Sequence, residues 1–206
     1  MSENEGLMIF AQKEEDEIHE VSFEILGKGK EIADSLGVET SAVILGPQLD
    51  EEEVKELIYY GADKVYWFDD SVFEDFDPVL FKNNVAGLIE EEKPEIVLLG
   101  ATHLGRSLGP RVAADLGVGQ TADCTDLDVH EGDFIQIRPA FSGNILAHIK
   151  TQSPVAMSTV RYKVMEKRER DTSREGEIIK KNIAYTAIMC LFLGLLAIGL
   201  IYLFGI

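Results

Sequence analysis

The stretch Glu95–Cys124, EIVLLGATHLGRSLGPRVAADLGVGQTADC, constrains this chain more than any other. Ile96, Val97, Leu98 and Leu99 form an apolar run bounded by Pro94 and Gly100. A run without polar alternation is a strand buried on both faces, which means a parallel sheet covered by helices on each side. Gly100 ends the strand and a polar loop follows. Leu108, Val112, Ala113 and Leu116 then recur at helical spacing across Arg106–Leu116, with Gly117 as the stop. A glycine-bounded loop leading from a strand into a helix start gathers backbone N–H groups and the positive end of a helix dipole, which suits an anion such as phosphate. Arg106 adds a charge with bidentate geometry. An ordinary strand-to-helix turn with no ligand is the competing reading. The string from Gly100 to Ser107 is one residue short of a P-loop and has arginine where that motif needs lysine, which argues against a nucleoside triphosphatase.

The rest of the chain repeats the same alternation. Residues 7–11 read as a first strand, Val21, Ile25, Ile32, Ala33 and Leu36 as a helix closed by Gly37, and Ser41–Leu45 as a second strand. Glu14–Glu17 is an acidic patch expected in a solvated loop. Asp50 with Glu53 three residues on predicts a capping box, and Val54, Leu57 and Ile58 supply that helix with its buried stripe. Lys64–Phe68 and the helix marked by Val85, Leu88 and Ile89 complete β-α-β-α-β-α-β-α. The fold class is α/β, a Rossmann-like doubly wound, mostly parallel sheet, with ligands expected at the carboxyl ends of the strands near a switch in strand order. After Gly119, Ala122–Val129 and Phe134–Arg138 read as a hairpin turning at His130–Asp133, followed by strands over 144–150 and 155–160. Residues 166–181 are mixed charge without apolar period and read as a charged linker.

The net charge of −18 leaves no basic face for neutralising phosphates, so nucleic acid is not an expected partner. Cys124 and Cys190 do not make a disulfide framework. MSENEG is not a signal sequence. Ile183–Ile206 contains no charged residue in 24 positions, and about 20 apolar residues span a bilayer as a helix. Residues 182–206 are therefore expected to be a single-pass transmembrane helix. Lys167, Arg168, Arg170, Arg174, Lys180 and Lys181 before it place the preceding domain on the cytoplasmic side of the membrane. Every charge precedes Asn182, so the whole −18 belongs to that domain and holds it off an anionic leaflet.

The strings LLGATHLGRSLGPRVAADLGVGQTADCTDLDV, IRPAFSGNILAHI and MSTVRYKVM, with ELIYYGADKVYWFDD and LGKGKEIADSLG before them, resemble the N-terminal domain of the electron transfer flavoprotein alpha subunit. The resemblance covers roughly residues 6–165, within a domain expected over residues 1–165. It implies an adenine-nucleotide-binding type of α/β fold, a heterodimer with a beta-type subunit, and electron transfer through FAD, with AMP as a second candidate ligand. The family's loop motif falls on Gly100, Ala101, Thr102, Gly105, Arg106, Pro110 and Arg111. Its second block falls on Thr121, Ala122, Asp123 and Cys124, and its third on Arg138, Pro139, Phe141, Gly143 and Asn144. Gly100, Thr102, Gly105, Arg106, Thr121, Asp123, Arg138 and Asn144 are the candidate cofactor-binding positions. In this part of the family the motifs are expected to shape the domain and its subunit contact more than to perform chemistry, and Asp123 and Arg138 are a candidate structural pair. Ser153-Pro154 and Tyr162-Lys163 stand where the family has Arg-Pro and Pro-Gly. The family's FAD domain would begin where this chain becomes linker and apolar segment, so FAD is expected in a complex and not on this chain alone.

Two functions compete at this point: a membrane-tethered alpha-like electron carrier subunit paired with a beta-type subunit, and a non-redox membrane adapter that binds a beta-like partner or an adenine nucleotide. A self-contained hydrolase has only Ser107 beside His103, without a third orienting group. The histidines lack metal-ligand spacing, so no metal site is expected.

Overall fold

The computed structural model describes residues 4–15, 17–47, 49–140 and 145–181. The expected transmembrane helix over 182–206 and the motif residues Phe141, Gly143 and Asn144 lie outside the described residues. No described helix is long and apolar enough to cross a membrane.

Strand β1 (Leu7–Ala11) is buried throughout, sending Leu7, Ile9 and Ala11 to one core and Met8 and Phe10 to another. The acidic patch forms a two-residue hairpin, β2 (Lys13–Glu14) with β3 (Glu17–Ile18). Helix α1 (Glu20–Leu36) begins at His19, whose side chain accepts the Val21 N–H, and ends on Gly37 at φ 73°. After β4 (Thr40–Leu45), the Asp50–Glu53 capping box opens α2 (Glu51–Tyr59) with both reciprocal bonds at 2.8 Å. Then come β5 (Lys64–Phe68), α3 (Pro78–Glu92) with Asp77 as its cap, β6 (Ile96–Gly100) and α4 (His103–Asp115). Helix α4 starts three residues before the apolar period shows, because Thr102 caps it. The remaining strands are β7 (Gln120–Cys124), β8 (Asp126–His130), β9 (Asp133–Ala140), β10 (Ile145–Ile149), β11 (Ala156–Val160) and β12 (Glu177–Lys180).

Among the described residues seven strands form one sheet in the order β12-β5-β4-β1-β6-β11-β7, every neighbour parallel. The chain moves outward from β1 through β4 to β5, then returns to the other side of β1 with β6. That reversal places the switch point between β1 and β6. Helices α1 and α2 cover the face carrying Leu7, Ile9 and Leu98, and α3 and α4 cover the face carrying Met8, Val97 and Leu99. Sheets of this kind have no solvated face, which is why β1 and β6 read as unbroken apolar runs.

Two expectations need correction. The run Ala122–Val129 is two strands: Asp123 takes a left-handed φ of 61°, the register against β11 shifts there, and the chain leaves the large sheet for an antiparallel β8-β9-β10 sheet. The hairpin turn itself is as expected, with Glu131 and Gly132 both at positive φ. The strand expected over 155–160 is present as β11, and it inserts parallel between β6 and β7.

The second correction concerns 166–181, which is a strap and an edge strand. After Val160 the chain recrosses the α1–α2 face, where the Lys163 N–H donates to Glu24 (2.8 Å) and Lys167 sits over the rings of Phe23 and Tyr60 at 4.7 and 4.6 Å. A Cβ on Gly27 would stand 2.9 Å from the Arg168 nitrogen, so the strap lies directly on the helix backbone. Arg170 pairs with Glu56, and Arg174 reaches Asp63 (2.9 Å) and the Ile58 carbonyl (3.1 Å). Glu177–Lys180 then pair with Lys64–Trp67, and Lys181 N–H donates to Trp67 O. The segment lacks an apolar period because its anchors are cations on carboxylates and aromatic faces.

The small sheet is bolted to the large one by Gln136, which is fully buried. Its amide oxygen accepts from Thr121 and Thr151 (2.8 and 2.9 Å), and its nitrogen donates to Met157 O and Ser158 Oγ (3.0 and 2.6 Å). Replacing Gln136→Leu strands three buried polar partners and the half-buried Thr151, and is expected to lower stability by about 3 kcal/mol in urea denaturation. A loss below about 1 kcal/mol would contradict this role.

Candidate functional site

The switch point brings together the carboxyl ends of β1 and β6. Thr102 Oγ1 donates to Gln12 Oε1 at 2.6 Å and accepts from the Gly105 N–H at 3.1 Å, so one hydroxyl joins the strand ends and caps α4. Gln12 is oriented in turn by its own N–H, which donates to Ser22 Oγ at 2.9 Å. The glycines of the loop are packing requirements. A Cβ on Gly105 would lie 1.9 Å from Gly100 O, and one on Gly100 would lie 2.6 Å from Val21 Cγ2. Only glycine at 105 lets the first turn of α4 descend onto the strand end.

Arg106 is the residue that would hold an anion, and two of its five N–H donors are engaged within the chain. Its Nε donates to Ala101 O at 2.9 Å, and its Nη2 lies 3.3 Å from Asp123 Oδ1. Asp123 is gripped further by Arg161 from the end of β11, through Nη2 at 2.6 Å and Nε at 3.3 Å. Its backbone N–H donates to Thr159 Oγ1 at 3.0 Å. The Arg161 hydrogen bonds hold the Asp123 carboxyl below the usual carboxylate range against the opposing effect of partial burial. The charges of Arg106 and Arg138 add to that lowering. The expected Asp123–Arg138 pair is thus replaced by an Arg161–Asp123–Arg106 bridge, with Arg138 acting through space from β9.

The other candidate positions separate. Thr121 points into the buried Gln136 network, Arg138 stands opposite Ala147 in the hairpin sheet, and Asn144 lies outside the described residues. Gly100, Thr102, Gly105, Arg106 and Asp123 do come together. Cys124 is fully buried, its thiol pushed up to about 11 by that burial.

Beside the loop is a cleft of about 600 Å³ whose walls include Gln12, Glu14, His19, Thr102, His103 and Tyr162. His19 Nε2 lies 3.3 Å from Glu14, and its ring meets that of Tyr162 edge-on at 5.1 Å. Tyr162 donates to Glu20 at 3.0 Å. The described switch-point residues give the phosphates of FAD or AMP only a partial fit: Arg106 and Arg161 share Asp123, which offsets one of their two charges, the Gly105 N–H is capped by Thr102, and Glu14 lines the cleft. Ser107 Oγ accepts from Arg111 at 2.8 Å, which leaves it paired with a cation and not with a base. Among the described residues no group of three His, Cys, Asp or Glu is placed to hold a metal ion.

Sequence reasoning did not single out Gln12, Gln136 or Arg161. Arg161 carried a usable signal, since it directly follows a fully buried strand and so had to sit at a carboxyl end. Gln12 and Gln136 are polar residues in apolar surroundings, and only the three-dimensional structure shows what they satisfy.

The bridge predicts a pH dependence. The folded Asp123 value lies below the unfolded one, so its contribution is complete above about pH 4 and is lost as pH falls through the lowered value. Asp123→Asn is expected to cost about 1 kcal/mol at neutral pH, the carboxylate being partly exposed. The difference from the parent should close in urea denaturation as pH falls through that lowered value. A gap that persists there would contradict the ionic account.

A family model for the electron transfer flavoprotein domain matches residues 7–185. The chain is 46% identical to the electron transfer flavoprotein subunit alpha of Clostridium acetobutylicum over 165 residues, covering 79% of this chain and 49% of that protein. It is 38% identical over 204 residues to the corresponding subunit of Megasphaera elsdenii, covering 97% and 60%. It is also 41% identical over 175 residues to the LctC subunit of the lactate dehydrogenase (NAD(+),ferredoxin) of Acetobacterium woodii, covering 84% and 42%. The chain spans about half the length of these relatives.

Proposed function

The chain belongs to the electron transfer flavoprotein family, as a protein of the alpha-subunit N-terminal-domain type, and from that premise we propose that it is a membrane-anchored alpha-like subunit serving flavin-linked electron transfer. It pairs with a beta-type subunit and acts as an electron-carrier component, not as a self-contained catalyst. The reading rests above all on 46% identity to an alpha subunit over 165 residues, 79% of this chain. FAD supplies the redox chemistry when bound. This chain contributes a rigid docking domain, and the flavin is held elsewhere in the complex, in keeping with a switch-point loop closed by its own ion pairs. The anchor is supported by the 24 uncharged positions from Ile183 to Ile206, with Lys180 and Lys181 before them. The domain is then cytoplasmic, and the tether raises the local concentration of the carrier at a membrane acceptor.

The same closed loop favours a second reading, a non-redox adapter that recruits a beta-type partner to the membrane. The two separate on one experiment: the tagged full chain is recovered from its native cells in mild detergent, its partners are identified by mass spectrometry, and the eluate is scanned for flavin absorbance. A beta-type partner with flavin is the expected result. A beta-type partner without flavin leaves the adapter, and the chain alone in the soluble fraction contradicts both.

A further inference from the structure

We propose that the carboxyl edge of the sheet, with the switch-point cleft, faces the bilayer, and that the amino edge faces away from it. The inference rests on the membrane anchor proposed above and adds its orientation. Strand β12 runs parallel to β5, with Glu177 beside Lys64 and Lys180 beside Trp67. The chain therefore reaches Lys181 at the carboxyl edge, the edge that also carries Gln12, Thr102 and Arg161.

Lys181 is fixed there, its N–H on Trp67 O at 2.9 Å and its ammonium 2.8 Å from Glu91. Only Asn182 separates it from the uncharged run that starts at Ile183. One residue spans at most about 3.6 Å, so a span beginning at Ile183 leaves no spacer on which the domain could turn over. Three to four strand spacings separate β12 from the gap between β1 and β6, about 17 Å along the same edge. The amino edge lies a further strand length away, about 17 Å for five residues.

Charge does not produce this orientation. The loops of the carboxyl edge carry Glu14, Glu15 and Glu17 after β1, Asp50 to Glu53 after β4, and Asp69, Asp70, Glu74, Asp75 and Asp77 after β5. They would be repelled by an anionic leaflet. Covalent geometry holds the cleft toward the surface, and a partner reaching the cleft enters from the side, between the domain and the lipid.

The test uses the full chain in phosphatidylcholine vesicles carrying a headgroup-linked energy acceptor. With Cys190→Ala in place and Cys124 buried, a single donor is attached at His103→Cys in the cleft wall, Val72→Cys in the β5–α3 loop, or Glu95→Cys at the amino edge. Transfer from positions 103 and 72 is expected to be at least twofold that from 95; the two carboxyl-edge probes guard against one misfolded variant. Equal or reversed transfer, with the chain retained through an alkaline carbonate wash, overturns the orientation while leaving the anchor standing. Release of the chain by carbonate overturns the anchor and the orientation with it.

Discussion

A parallel sheet has no face it can leave in water, and that requirement organises everything else in this domain. Each strand must be followed by a crossover, each crossover must cover one face, and all turns after strands then collect at one edge. Four helices cover the two faces around β1, β4 and β6. Strand β5 would have been an exposed edge, and the strap laid over α1 and α2 delivers β12 to cover it. The strap needs no apolar stripe of its own, because Glu56, Asp63 and the Phe23–Tyr60 ring pair give its cations places to settle.

Much of this was legible in the chain. Unbroken apolar runs at Leu7–Ala11 and Ile96–Leu99, the Asp50–Glu53 cap and the Glu131-Gly132 turn each declare themselves through a local rule, and the structure follows them. What was not legible depends on partners distant in sequence. The split at Asp123 comes from one non-glycine residue at positive φ, held there by Thr159 and Arg161 some forty residues later. The insertion of β11 between β6 and β7 is a matter of strand order, which hydropathy does not encode. The strap has the sequence of a linker because periodicity detects buried stripes and is blind to cation–aromatic and ion-pair anchoring.

The candidate site shows the same division at finer scale. A glycine-bounded loop, a helix start and an arginine are the parts of an anion site, and the sequence places them together correctly. Asp123, which pairs with both Arg106 and Arg161, and Thr102, which takes the Gly105 N–H, engage part of that set. The motif that marks the family is therefore one that closes a strand–helix junction tightly enough for Gly105 to sit on Gly100. That gives a tightly packed strand–helix junction.

The account depends most on the claim that the chain is folded sheet up to Lys181, with no loose linker after β11. Hydrogen–deuterium exchange of the full chain tests this directly, on the peptide carrying Glu177 to Lys181. The account predicts protection matching that of β5, since the amides of Glu177 and Lys181 donate to Asp63 O and Trp67 O. Exchange at the rate of an unstructured chain would contradict it, and with it the fixed exit that orients the domain.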